Sequence, residues 1–277
     1  MKWAIVIFFC ALSGAYAFQR EFRDFPGERP LPLPPDALNP AEFVYGQLMY
    51  PAYGGGGGFR RGGFRRGGGS RDWRQGGQNQ AWNNDYPAAP RHLMVALRRL
   101  TSMDVRSVEQ PVNLEDGDDV YNWPFLYAAR TTSIDLTEEM TDRLRDYLDR
   151  GGFFVADDMW GPREHQAIFE LVEKLYPTRE LVELGDNDEV MRIMFDLKHR
   201  PQILGQWGRY SGQPLNGASD PHWRGVFDEK GRMVIAIWLN NDTGDSWEWA
   251  DDPSYPEEWS ALGFRIVINH IAYAMTH

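Results

Sequence analysis

Two adjacent carboxylates, Asp157 and Asp158, stand at the end of the apolar run Phe153-Phe154-Val155-Ala156, and Glu164 and His165 follow shortly after. Paired carboxylates can hold a divalent cation or divide the work of general acid and base. Successive strand residues point to opposite faces, so the pair can equally be split, one aspartate capping the next turn and the other facing water. A second oxygen-rich run is Asn240-Asn241-Asp242-Thr243-Gly244-Asp245, followed by Trp247 and Glu248. Its make-up is that of a calcium loop, but its spacing departs from the helix-loop-helix pattern. A turn whose side chains bond their own backbone is the simpler reading. Glu115-Asp116-Gly117-Asp118-Asp119 reads as a solvated turn for the same reason.

Aromatic residues gather near these carboxylates. Trp160, Trp207, Trp223, Trp247 and Trp249 all fall in expected loops or strand ends. Ring faces beside acids hold sugars or cationic groups, although large aromatics more commonly cover a core. The catalytic candidates are therefore Asp157, Asp158 and Asp242, the ligand-binding candidates Trp160, Trp247 and Glu248, and the candidate divalent-cation ligands Asp157 and Asp158.

Other chemistries are poorly served. The only cysteine, Cys10, lies in a leader-like N-terminus, which leaves the remainder without a disulfide, a thiolate metal site or a cysteine nucleophile. No Gly-x-Ser-x-Gly elbow occurs, and no Gly-x-Gly-x-x-Gly turn joins a strand to a helix. His92, His165, His199, His222, His270 and His277 are scattered without metal-ligand spacing, and packing in the core is expected for His270. A net charge of −11 argues against nucleic acid as the main ligand.

The elements that must position these groups are legible around them. Thr137 is an N-cap, Glu138 and Glu139 suit the positive end of a helix dipole, and Met140, Leu144 and Leu148 recur at helical spacing. Gly151 supplies the stop, and Phe153 to Ala156 is a strand covered on both faces, with Asp157 and Asp158 marking its exit from the core. Elsewhere, strands are expected at 43–50, 103–108, 125–129 and 181–184. Helices are expected at 87–100, with Leu93, Leu97 and Leu100 on the buried stripe, and at 164–176. A hairpin spans 226–239 and a closing helix 257–275. Strands alternating with helices imply a mainly parallel sheet, with the late hairpin as an antiparallel extension.

Domain organisation follows from composition. Lys2, the apolar run Trp3 to Leu12 and Ala15-Tyr16-Ala17 make residues 1–17 a secretory signal peptide, too short to span a bilayer. Residues 18–40 form a proline-rich extended lead-in, and 41–277 a single α/β domain with a disordered Gly/Arg-rich insertion at 54–80. Arg60, Arg61, Arg65, Arg66, Arg71 and Arg74 in that insertion resemble nucleic-acid-binding tracts. In an exported chain a solvated loop is the more economical reading. The expected location is the periplasm or cell envelope, with an envelope protein or polysaccharide as partner and no transmembrane segment after the leader.

FVYGQLMY, the DYP before the first helix, WPFLY, LRDYLDRGGFFVADD and GRMVIAIWLNNDTGDSWE together resemble domain-of-unknown-function family 4159. The resemblance implies a flavodoxin-like, class I glutamine amidotransferase-like α/β fold and occurrence in bacterial envelope proteins, without an established activity. The missing cysteine rules out the glutaminase chemistry of amidotransferases unless another nucleophile replaces it. Members of the family often carry a His-Pro pair after the fifth strand, where this chain has Asp186-Asn187-Asp188-Glu189. A non-catalytic binding or scaffolding role is the leading expectation, and a metal-assisted hydrolase acting on an envelope polymer is the alternative.

Overall fold

The computed structural model describes residues 32–52, 72–75 and 80–277. The expected signal peptide, most of the proline-rich lead-in and most of the Gly/Arg-rich insertion lie outside the described residues.

Among the described residues, seven strands form one sheet. They are β1 (Tyr45–Met49), β2 (Gln110–Asn113), β3 (Phe125–Ala129), β4 (Phe153–Met159), β5 (Leu181–Glu183), β6 (His222–Phe227) and β7 (Met233–Leu239). The spatial order is β2-β1-β3-β4-β7-β6-β5. The first five positions are parallel, and β6 and β5 continue antiparallel, so the expected late hairpin does extend one edge. The helices are α1 (Ala88–Leu100), α2 (Glu138–Asp149), α3 (Pro162–Leu175), α4 (Gly205–Ser211), α5 (Thr243–Glu248) and α6 (Glu257–Thr276). No helix among the described residues is long and apolar enough to cross a membrane.

Strand β4 shows why the sheet needs cover on both sides. Phe154 and Ala156 enter one apolar cluster with Met140, Leu144 and Leu148 of α2 and Ile168, Leu171 and Val172 of α3. Phe153 and Val155 enter the opposite cluster, with Leu93, Met94 and Leu97 of α1 and Ile266, Val267 and Ile271 of α6. A period of two in the strand thus supplies both cores. The helix before it is set by its caps: Thr137 accepts from the Met140 amide, and Gly151, at φ +111°, ends it. The Gly151 and Gly152 amides then bond the Leu148 and Tyr147 carbonyls, a paired closure that a residue with a Cβ makes poorly at that φ.

Three expectations are corrected. The second strand is Gln110–Asn113 and not 103–108, where Val105 makes only a single bridge to Phe43. β2 lies at the sheet edge, where Pro111 is tolerated because a missing donor need not break a ladder on both sides. Leu100 is 52 % exposed instead of lining the buried stripe, since it is the last residue of α1. Asp157 and Asp158 lie within β4, which runs on to Met159, and do not mark its exit.

The strand order reverses between β1 and β3, the place where open α/β sheets bind ligands outside the carboxyl ends of their strands. The carboxyl ends of β3, β4 and β7 follow one another along the sheet; β4 carries Asp157 and Asp158, and the chain after β7 carries Asp242, Asp245 and Glu248.

Candidate functional site

Asp157 is fully buried on the α1/α5/α6 side of β4, and its oxygens are taken up by neighbours. Its Oδ2 accepts from Tyr127 Oη at 2.8 Å and from the amides of Thr243 and Gly244, each at 2.9 Å, while Thr243 Oγ1 donates to Oδ1 at 3.3 Å. Asp157 is the anchor for the first turn of α5. Burial, reinforced by the charge of Asp158, pushes its pKa up to about 7 against the opposing pull of these donors.

Asp158 has different surroundings. It sits at φ +59°, where the β4–β7 register shifts, accepts from Trp160 Nε1 at 2.6 Å and lies 4.0 Å from Arg130 Nε. Burial raises its pKa to about 6, with Arg130 and Trp160 acting the other way. The aspartates share a strand end but not a set of partners. Glu164 turns back to accept from the Trp160 amide at 2.7 Å, and His165 Nε2 lies 2.8 Å from Asn240 Oδ1. Glu164 thus closes the β4–α3 junction on itself, and His165 holds it against the loop after β7.

The run from Asn240 to Glu248 forms the other wall. Asp242 caps α5 by accepting from the Asp245 amide at 3.0 Å, and burial together with Asp245 and Asp158 pushes its carboxyl well above the usual range. Asn241 Oδ1 accepts from the Ile203 amide at 3.1 Å. The expected self-bonded turn is therefore only part of this segment, which also ties β7 to the chain before α4. Trp160 and Trp247 are 2 % and 0 % exposed, and Trp247 packs on Tyr127 and Trp238 with ring centroids 5.3 and 6.3 Å away. Neither ring offers a free face.

Among the described residues, the exposed aromatics are on α4. Trp207 is 62 % and Tyr210 72 % exposed. This helix is held at the acidic rim by the Gln206 amide, which donates to Asp245 Oδ2 at 2.6 Å, and by Arg209, 3.2 Å from Asp252. The expected ligand-binding rings, Trp160 and Trp247, are buried, whereas Trp207 and Tyr210 are exposed.

Among the described residues, Asp85, Asp245 and Glu248 converge, with one oxygen from each within 4.8 Å of the others. Asp85 is the acidic residue of the DYP segment before α1 and adopts φ +61°. Burial and the charges of Asp245 and Glu248 raise its pKa well above the ordinary value. Composition alone did not reveal this grouping, because Asp85 lies far along the chain from the other two. The signals available were the oxygen-rich run and a DYP segment preceding a helix.

His270 meets the expectation of a core histidine. It is fully buried, with Nδ1 2.8 Å from the Ile266 carbonyl oxygen and Nε2 3.4 Å from Trp238 Nε1, and burial lowers its pKa to about 4.

No curated protein matches this chain. The sequence profile described as "Domain of unknown function (DUF4159)" matches residues 74–275, which include α1 to α5, all but the last residue of α6, β2 to β7 and every acidic residue discussed above. The chain belongs to this family of domains of unknown function.

Proposed function

We propose that this chain is an exported, non-catalytic binding domain of the bacterial cell envelope, with a polysaccharide as ligand and its recognition surface on α4. The observation that carries this reading is the pair of exposed rings, Trp207 and Tyr210, on a helix pinned through Gln206 to the acidic rim. Flat aromatic faces stack on sugar rings, and neighbouring carboxylates accept from their hydroxyls. The leader-like segment 1–17 supports export. Asp157, Asp158 and Asp242 as the working groups of a hydrolase fit less well: Asp157 is occupied by Tyr127, Thr243 and Gly244, and Asp242 by the start of α5.

The finer fold assignment belongs with this proposal. The order β2-β1-β3-β4, with β7 in the fifth parallel position, supports a flavodoxin-like sheet of the class I glutamine amidotransferase kind.

The test is sedimentation of the protein with insoluble envelope polysaccharides, followed by titration with soluble fragments. Binding should saturate, and Trp207→Ala and Tyr210→Ala should each weaken it by about 0.5–1.5 kcal/mol, the loss of one stacking face. Equal retention of wild type and both variants would remove the case for α4 as the recognition surface.

A further inference from the structure

Asp85 and the pair Asp245 and Glu248 come from opposite ends of the domain, and two local features bring them together. Asp85 Oδ1 accepts from Asn84 Nδ2 at 2.6 Å, while its Oδ2 lies against α5. A Cβ at Gly244 would stand 2.5 Å from that oxygen, so the glycine makes the approach possible. Asp245 and Glu248 are three residues apart on α5 and therefore share a face. Both are buried, at 8 % and 9 % exposure. Like charges this close repel, and among the described residues no arginine, lysine or histidine forms an ion pair with Asp85 or Asp245.

A second observation does not depend on the acidic cluster. Tyr255 is 6 % exposed, and its hydroxyl is sealed from solvent without a hydrogen-bond partner. Burial first, and then the charges of Asp242, Asp245 and Asp85, push the pKa of this phenol up, so it shares the electrostatic neighbourhood of the cluster. Asp85 Oδ2 is likewise sealed and without a donor. Buried polar atoms without partners are rare in folded proteins, and an ion with its water is one of the few things that satisfies them. The donors are all oxygens, which suits calcium, magnesium or manganese better than zinc or copper.

We infer that Asp85, Asp245 and Glu248 bind a hard divalent cation, with the Tyr255 hydroxyl facing the water that completes its shell. The site adjoins α4, whose Gln206 amide also donates to Asp245, but cation binding does not depend on the polysaccharide reading. It joins the segment before α1 to α5, so an ion there ties the first helix to the loop that follows β7.

The full chain, stripped with EDTA and exchanged into chelator-free buffer, is titrated calorimetrically with Mn²⁺, Mg²⁺ and Ca²⁺, and bound Mn²⁺ is counted by electron paramagnetic resonance. One Mn²⁺ per chain and a raised melting temperature are expected. Asp85→Asn and Glu248→Gln keep side-chain shape, and each should weaken binding by at least about tenfold, the lower bound even for losing an outer partner of a ligand. Asp220→Asn, at a carboxylate that is 85 % exposed, should leave binding unchanged. No saturable binding of any of the three ions up to about 10 mM, beyond the weakest oxygen-ligand sites, overturns the proposal. Wild-type affinity in both cluster variants, or equal weakening in Asp220→Asn, overturns it as well. The wild-type titration alone can therefore sink the idea, whatever the variants' stability.

Discussion

Asp157→Asn tests whether burial or hydrogen bonding governs the carboxyl at the centre of the site. Its donors favour the charged form, yet loss of water and the nearby charge of Asp158 carry the pKa from 3.8 to about 7. Between those values the folded protein keeps a proton that the unfolded chain has shed. The resulting stabilisation is present at low pH and disappears as pH rises through 7. For a group at about 7 it amounts to about 2.7 kcal/mol at pH 5 and almost nothing at pH 8. His270 works in the opposite direction, since a histidine held near 4 withdraws stability as pH falls from 6.5. The wild-type profile alone therefore mixes both signs, and the informative quantity is the difference between wild type and variant. Urea unfolding at pH 5 and pH 8, in EDTA to keep cations out, should show wild type losing about 2.5 kcal/mol more than Asp157→Asn across that interval. Any pH-independent cost of placing an amide there cancels in this comparison. An equal loss in the two proteins would mean that the donors win, with Asp157 ionised throughout, and the account of the site's electrostatics would fail.

Two further substitutions probe the scaffold. Gly244→Ala would put a methyl 2.5 Å from Asp85 Oδ2 and 2.7 Å from Tyr127 Oη, and should cost about 1–3 kcal/mol in denaturant unfolding; a neutral result would show that α5 can move away from α1. Thr137→Ala removes the cap on the Met140 amide and should cost about 1 kcal/mol, measured by thermal unfolding, with no change in cation binding.

The elements with their own start and stop signals were readable without a structure. Thr137, the two glutamates after it and Gly151 define α2 by backbone chemistry that operates over a few residues, and Phe153 to Ala156 needs only its apolar run. β2 was misplaced because Gln110-Pro111-Val112-Asn113 has neither alternation nor a β-branched run; it is a strand by virtue of lying beside β1. α5 was missed for a related reason. Its first amides are held by Asp157, a residue remote in sequence, so nothing local reports them. Alternation along β4 could not say which oxygens of the acidic candidates were already engaged. Nor could it bring Asp85 beside Asp245, since that meeting depends on the packing of α5 against the start of α1. Trp160 and Trp247 looked like ligand platforms because type and proximity are visible in a sequence while burial is not.

Both borders of the sheet are poor templates for another strand. On one side, β2 has only four residues and one of them, Pro111, has no amide hydrogen to give. On the other, β5 has three residues, and Glu183 is engaged by His222 and Arg224 on the neighbouring strand, which sets charge along that rim. Short, proline-bearing and charged borders discourage edge-to-edge addition. Copies of the domain that meet while only partly folded are thereby guarded against joining into a growing sheet.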